Sequence, residues 1–284
     1  MTYTGYRALR ISSDNHIVTA VIDYPPMNLI GKEVVEDLHR FTEEVALDDD
    51  ARVVIFKSAD PDIFLTHNEF ANLYRLQPDE TPSTVEDVEP NGMQLICLRI
   101  QRMNKVTIAQ VEGRTAGGAA VLVMACDLKF GALGKAVFNT MSVPLGTVPG
   151  GGASQFMPRL IGRSRALELI LAGLDLDAAT AERWGYLNRA LPPEEIDAYV
   201  AYIAKRIVQA PADAVLRSRE LVNSASQVAL EDGLRQENYH FRHMMKSGDS
   251  IDLIRLFMEV GGETRDGEQR IEELLGQSLE RWNS

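Results

Sequence analysis

Cysteine is nearly absent from this chain of 284 residues: Cys97 and Cys126 are the only two, each inside an apolar run. Such thiols read as reduced core residues rather than a disulfide, and two alone cannot build a zinc site. Positive charge is also scarce, with 29 Lys and Arg against 41 Asp and Glu and a formal charge of −12. That balance argues against nucleic acid or an anionic membrane as the main partner, since both need an electropositive surface. No uninterrupted apolar run approaches the length of a membrane span. The first residues, MTYTGYRALRISSDN, lack the basic-then-apolar pattern of a signal peptide. The expectation is a cytoplasmic protein with neither nucleic acid nor membrane as partner. What is present is ordinary globular material, 45% hydrophobic and 25% charged, long enough for one large domain or a domain with an appendage.

The most informative stretch is 105–132, KVTIAQVEGRTAGGAAVLVMACDLKFGA. A β-rich run, Val106–Val111, meets a glycine-punctuated turn from Gly113 to Gly118, and an apolar segment, 119–126, follows and ends at Asp127. A helix apolar on every side is buried, so this one is expected to run into the core. Its first amides would lack intrahelical partners and point back at the turn. Glycine there lets another group approach the backbone, and the helix dipole favours negative charge. Such a start can hold an oxyanion on backbone N–H groups. It can equally be a tight strand-to-helix connection without chemistry, and on this stretch alone that is the commoner outcome.

Before it, His16 to Ile22 reads as a strand, 31–47 as an amphipathic helix on Val34, Leu38, Phe41 and Val45, and Val53 to Phe56 as a buried strand. Strand, helix, strand in that order predicts an α/β layer structure. A loop follows that carries Phe64-Leu65-Thr66-His67-Asn68-Glu69-Phe70. The segment 77–91 has three prolines, five acids and no basic residue, and reads as a solvated loop with a lid as the alternative. The glycine run at 144–152 lacks the lysine and Ser/Thr of a P-loop and the spacing of a dinucleotide fingerprint, so it reads as a backbone-shaped pocket wall leading into a helix that includes Gln155.

From Ser164 the pattern is helical. Ala166, Leu167, Ile170 and Leu171 mark one face, Asp177 can cap the next helix, and Ile196, Val200, Ile203 and Ile207 mark another. Pro211 suits a helix start. Further helices are expected at 228–246, 250–260 and 268–282, too lightly apolar to form a core alone and therefore suited to packing on the α/β body or on another subunit. His240 and His243 can share a helix face, but no carboxylate partner is evident and no metal site is expected.

Together these segments resemble the crotonase (enoyl-CoA hydratase/isomerase) superfamily over nearly the whole chain. The resemblance is carried by Pro25-Pro26-Met27-Asn28, the 64–70 loop, Val111 to Gly118, Ala125-Cys126-Asp127-Leu128, Leu145 to Gly152, and Trp184-Gly185-Tyr186-Leu187-Asn188. It implies an α/β fold with a crotonase-like ββα spiral core, placed at 1–210, and a C-terminal helical region at 211–284 that mediates a homotrimer or a dimer of trimers. It further implies an acyl-CoA substrate, with coenzyme A as part of that substrate and no tightly bound cofactor. By the same resemblance the amides of Thr66 and Gly118 would hold a thioester oxygen as it becomes an enolate. Gly117, Asn68, Glu69, Val121, Ser142 and Gly150 would line the substrate.

The departures are as informative. Where hydratases of the family carry two glutamates, this chain has Val121 and Ser142. Adding water to a double bond needs one group to activate the water and one to protonate the adjacent carbon, so ordinary hydration is not expected. Decarboxylation, C–C cleavage or an isomerisation with a relocated base fits better. His67 stands one residue beyond Thr66 and can act as acid or base near neutrality; the alternative is a loop strut. Glu69 reads mainly as a tie from loop to helix end, and Tyr74 as a packing residue within reach of the pocket. Asn139, Thr140 and Ser142 are candidate hydrogen-bonding groups of the pocket wall. The competing reading of the whole chain is a non-catalytic acyl-CoA-binding or assembly subunit.

Overall fold

The computed structural model describes residues 1–70 and 84–284. Tyr74 and residues 77–83 of the acidic segment lie outside them. Two compact units are present, Met1–Val200 and Ala201–Ser284.

The first unit is built from two sheets wound side by side. Strand β1 (Leu9–Asp14) returns antiparallel as β2 (Ile17–Ile22) through Asn15 and His16. Both turn residues have positive φ, 47° and 65°, as a tight hairpin turn requires. Helix α1 (Lys32–Ala46) then buries Val34, Leu38, Phe41 and Val45, the stripe legible in the sequence. After it, β3 (Val53–Ser58), β5 (Val106–Val111), β7 (Leu128–Ala132) and β10 (Arg189–Leu191) extend the sheet in parallel, giving the order β1-β2-β3-β5-β7-β10. All six residues of β5 are buried, as a central parallel strand covered on both faces demands.

Between these strands the chain steps into a smaller sheet of β4 (Ile63–Leu65), β6 (Arg114–Ala116), β8 (Val137–Asn139) and β9 (Leu176–Asp177). The pairs β3–β4, β5–β6 and β7–β8 thus repeat one step, each adding a strand to either sheet before a helix. The helices that follow them are α2 (Gly92–Arg102), α3 (Gly118–Ala125) and α4 (Ala153–Ile161). This is the ββα spiral expected from the resemblance. All eight residues of α3 are buried, as its uniform apolarity requires. Its packing places the α3 N-terminus at the C-terminal ends of β6 and β8, the two inner strands of the smaller sheet.

Helices α5 (Arg163–Ala172), α6 (Ala178–Trp184) and the start of α7 (Ile196–Gln209) complete the unit. Asp177 caps α6, accepting from the Thr180 amide at 3.0 Å. Cys97 and Cys126 are free and buried, and burial pushes both thiols well up.

The second unit is helical: the end of α7, then α8 (Ala212–Ser224), α9 (Leu230–Met244), α10 (Gly248–Glu259), α11 (Arg265–Gln269) and α12 (Ile271–Trp282). The single helix expected over 268–282 is two, because Arg270 leaves helical geometry at φ −122° and its guanidinium bonds Asp266 and Glu273 on either side. Helix α12 packs back on α7 through Tyr202 to Glu272 (2.9 Å) and Asn283 to the Gln209 carbonyl (3.0 Å). Among the described residues no helix is long and apolar enough to cross a membrane.

Candidate active site

The loop after β4 is fixed by one residue of the Pro25-Pro26-Met27-Asn28 turn. Asn28 sits at φ 47°, a left-handed conformation that asparagine tolerates better than most side chains. Its Oδ1 accepts from the Tyr24 amide at 2.8 Å, and its Nδ2 donates to Ser58 Oγ at 2.9 Å and to the Phe64 carbonyl at 3.2 Å. Its own carbonyl accepts from the Thr66 amide at 2.9 Å. The Thr66 hydroxyl donates to the same carbonyl at 3.1 Å. The Thr66 amide, expected to face a thioester oxygen, is therefore occupied by the scaffold.

Two residues further on the geometry differs. The Ile30 amide donates to the His67 carbonyl (3.1 Å) and the Glu69 amide to the Ile30 carbonyl (2.9 Å), forming an isolated parallel bridge centred on Asn68. Alternation along an extended segment turns the Asn68 N–H away from Ile30. The Asn68 amide has no partner among the described residues. Asn68 Oδ1 lies 3.7 Å from where a side chain on Gly118 would begin. Gly118 opens α3, so its amide also lacks an intrahelical partner. Asn68 and Gly118 line the same cleft.

That inner cleft, of about 80 Å³, is walled by His67, Asn68 and Phe70, by Gly117, Gly118 and Val121, and by the 140–153 segment. Gly117 has φ 59° and ψ −126°, a conformation open only to glycine, and a Cβ there would stand 3.1 Å from the His67 Cβ. On the opposite wall Gly151 passes so close to α3 that a Cβ would meet the Gly118 Cα at 3.2 Å and a Val121 methyl at 3.3 Å. The Gly150 carbonyl is clamped by Asn91 Nδ2 (2.8 Å) and Gln94 Nε2 (2.9 Å). The glycine run is a pocket wall whose path depends on the absence of side chains, as read from its sequence.

The His67 ring stacks on Phe70, with centroids 4.5 Å apart and planes 14° from parallel. Its Nδ1 lies 2.9 Å from the Asn68 carbonyl. A carbonyl only accepts, so Nδ1 carries the proton of that bond and Nε2 is left to exchange one. His67 also borders a second, outer cleft of about 420 Å³, with Met27, Thr66, Arg114, Asn139, Met141 and Pro144 among its walls. The imidazole thus stands at the junction of the two. Arg114 is held by Asp175 through two bonds, 2.9 and 2.6 Å, and the guanidinium keeps the Asp175 carboxyl below its ordinary range.

The other candidates divide. Val121 and Ser142 both line the inner cleft, so neither position there carries a carboxylate. The Ser142 carbonyl anchors the turn that follows, accepting from Leu145 and Thr147 at 3.1 Å each. Glu69, expected to line the substrate, does not border either cleft. Its carboxylate lies beside Gly31 at the start of α1, 3.6 Å from where a Cβ would sit, on the helix side of the loop. Asn139 turns its amide to the Gly173 carbonyl (3.0 Å) and Asp175 (2.8 Å) and borders only the outer cleft. His243 in α9 is spent on the Tyr239 carbonyl at 2.8 Å. Sequence reasoning missed Phe70 and Met141 as cleft residues, read the wall at 144–152 without singling out the side chains of Leu145 and Thr147, and missed the Asn91 clamp. The capping-box spacing of Asn91 and Gln94 was the available signal for the last.

The comparisons agree with this architecture. The family model described as enoyl-CoA hydratase/isomerase matches residues 12–263, and the chain belongs to that family. A probable mitochondrial enoyl-CoA hydratase 2 of Arabidopsis thaliana is 27% identical over 249 residues, 87% of this chain and 80% of the plant protein. A probable enoyl-CoA hydratase of Mycobacterium tuberculosis is 36% identical over 153 residues, 54% of this chain and 59% of its own length. Among solved structures, a candidate enoyl-CoA hydratase from Streptomyces avermitilis aligns with TM-score 0.71 at 33% identity, over 93% of this chain and 94% of that one. An enoyl-CoA hydratase structure from Geobacillus kaustophilus aligns with TM-score 0.81 over 90% and 95% of the two chains; at 24% identity that likeness concerns the fold.

Proposed function

We propose that this protein is an acyl-CoA enzyme that forms a thioester enolate, holds it on the Asn68 and Gly118 amides and protonates it through His67, rather than an ordinary hydratase. One observation carries the reading: His67 is the only titratable side chain among the described residues that wall the inner cleft. Hydration asks for a base on the water and an acid at the adjacent carbon, and each such group commonly contributes about 10²–10⁴-fold. Val121 and Ser142 supply neither.

Loss of carbon dioxide from a 2-carboxyacyl thioester asks least of this cleft. The bond from Cα to the carboxylate breaks, and its electron pair passes into the thioester as an enolate. Carbon dioxide leaves, and one proton moves to Cα from Nε2 of the imidazolium form of His67, leaving the neutral ring with its proton on Nδ1 toward the Asn68 carbonyl; solvent then returns a proton to Nε2. Backbone amides preorganised for the enolate oxygen supply the stabilisation. The outer cleft, bordered by Met27 and Arg114, suits the coenzyme A portion. The family's usual assembly as a trimer or dimer of trimers is the expected quaternary state.

The test is incubation with a panel of acyl-CoA thioesters and mass spectrometry of the products, for wild type and His67→Gln. The expected result is loss of carbon dioxide from a 2-carboxyacyl-CoA, with turnover reduced at least about tenfold in the variant and thioester affinity retained. Efficient addition of water to crotonyl-CoA would overturn it. Tight thioester binding with no product from any member of the panel would favour the non-catalytic binding subunit.

A further inference from the structure

The inner cleft holds a polar group that neither the scaffold nor the proposed chemistry uses. Thr140 is 1% exposed, and its Oγ1 is a buried hydroxyl oxygen without a hydrogen-bond partner. A buried, unsatisfied hydroxyl costs about 1–3 kcal/mol, and such groups call for an explanation. The Thr115 hydroxyl is orphaned in the same way, but Thr115 lies within β6 and borders neither cleft, whereas Thr140 is part of the inner cleft wall.

Its place in the chain is what gives the orphan a meaning. Thr140 follows Asn139, whose carbonyl accepts from the Gly117 amide at 3.0 Å. Thr140 is therefore pinned beside the start of α3, one residue from the contact that positions the Gly118 amide. The Thr140 carbonyl holds the Ser142 amide at 2.8 Å, so a second hydroxyl stands on the same short segment. Thr147 adds a third to the cleft wall. No charged side chain among the described residues accompanies them there, apart from His67 when protonated. A wall of neutral hydroxyls next to the thioester position is poorly matched to a plain hydrocarbon chain and well matched to an oxygen.

We infer that Thr140 is a specificity-determining residue: its hydroxyl donates to an oxygen on C3 of the acyl group, the atom one bond beyond the carbon that becomes the enolate. The assignment rests on the acyl-CoA reading above. The shared ligand chemistry is a C3 oxygen, which three kinds of acyl group supply: a carboxylate, as in malonyl-CoA; a ketone, as in acetoacetyl-CoA; and an alcohol, as in 3-hydroxybutyryl-CoA. A saturated acyl group such as butyryl has none.

The experiment measures Kd, or KM where turnover is seen, for these three thioesters and for butyryl-CoA, with wild type, Thr140→Val and Thr140→Ser. Valine keeps the volume and removes the hydroxyl; serine restores it and controls for folding. At least one C3-oxygenated thioester should bind about 3- to 10-fold more tightly than butyryl-CoA to the wild type, the range of one net neutral hydrogen bond. Thr140→Val should lose that preference, and Thr140→Ser should regain most of it. Which of the three ligands shows the effect distinguishes carboxylate, ketone and alcohol. Equal affinity for all four, as when water alone satisfies the hydroxyl, overturns the inference, and so does a preference that survives Thr140→Val. Failure of every thioester to bind overturns the acyl-CoA reading itself, and the inference with it.

Discussion

The Thr66 amide donates to the Asn28 carbonyl at 2.9 Å, so the loop that forms one wall of the cleft hangs from a turn 38 residues earlier, between β2 and α1. Asn28 completes that attachment with side-chain bonds to Tyr24, Ser58 and Phe64. Asn28→Ala removes these bonds, leaves buried partners unsatisfied and places a less tolerant residue at positive φ. The expected loss is about 2–4 kcal/mol, a fall in Tm of roughly 5–15 °C at this size. Asn28→Gly, relieved of the backbone strain, should fall less far. A melting curve for Asn28→Ala within about a degree of wild type would show that Asn28 does not carry the loop.

Gly117→Ala tests the opposite side of the same wall. Its backbone has φ 59°, and a methyl group would press against the His67 Cβ at 3.1 Å. Relief requires either the 66–70 loop or the α3 start to move, and both are in the proposed machinery. We expect a stability cost of about 1–3 kcal/mol and a turnover loss of at least about tenfold, since small misplacements of positioned groups are expensive. Gly150→Ala is the control, because a Cβ there meets nothing within 4 Å; its stability should change by less than about 0.5 kcal/mol. Equal effects of the two substitutions would refute the close-approach account.

Much of this architecture is legible in the residues. The uniform apolarity of 119–126 called for a buried helix, and the Val34, Leu38, Phe41 and Val45 stripe placed α1 within a residue of its observed limits. The glycine run announced a wall without side chains, and Gly151 against Gly118 shows why. What the chain order could not supply was the direction of individual amides. Thr66 and Asn68 both lie in the site loop, and only the bridge to Ile30 reveals which N–H is turned outward. The resemblance fixed the loop but not that alternation, and the Thr66 amide is bonded to the Asn28 carbonyl, which is why the proposal above uses the Asn68 amide. Glu69 failed as a lining residue for the same reason: neighbours in an extended segment face opposite ways. The Asn91 clamp on Gly150 and the Arg114–Asp175 pair join residues 59 and 61 positions apart, which periodicity does not see.

The expectation of assembly can be tested on the second unit. Leu230, Leu234, Tyr239 and Phe241 of α9 are all more than half exposed, and α8 and α9 flank a groove of about 460 Å³. Apolar exposure of that extent along one helix, beside a groove, suits an interaction surface. Light scattering is expected to give the mass of a trimer or hexamer across micromolar concentrations. Leu234→Glu with Phe241→Glu should shift the distribution toward smaller species. A single-chain mass for the wild type would refute the expected assembly.

The Arg114–Asp175 pair gives a pH test that needs no substrate. Its partners hold the Asp175 carboxyl below the ordinary range, the Arg114 hydrogen bonds first and Asn139 after. A carboxyl lowered on folding contributes stability that is fully present above its unfolded pKa, about 3.9. That contribution is lost as pH falls through the still lower folded value. Both side chains are nearly half exposed, at 46% and 48%, so solvent screening limits the pair to below about 1 kcal/mol. Asp175→Asn should therefore be slightly less stable than wild type by a constant margin from about pH 5 to 8, narrowing below about pH 4. A margin that stays constant to pH 2.5, or widens on acidification, would contradict the pairing. The same substitution leaves the Arg114 charge unopposed at the mouth of the outer cleft. If coenzyme A phosphates occupy that cleft, thioester affinity should rise in Asp175→Asn at low ionic strength, and the gain should vanish in high salt as the charges are screened. Unchanged or weaker binding at low salt would place the phosphates elsewhere.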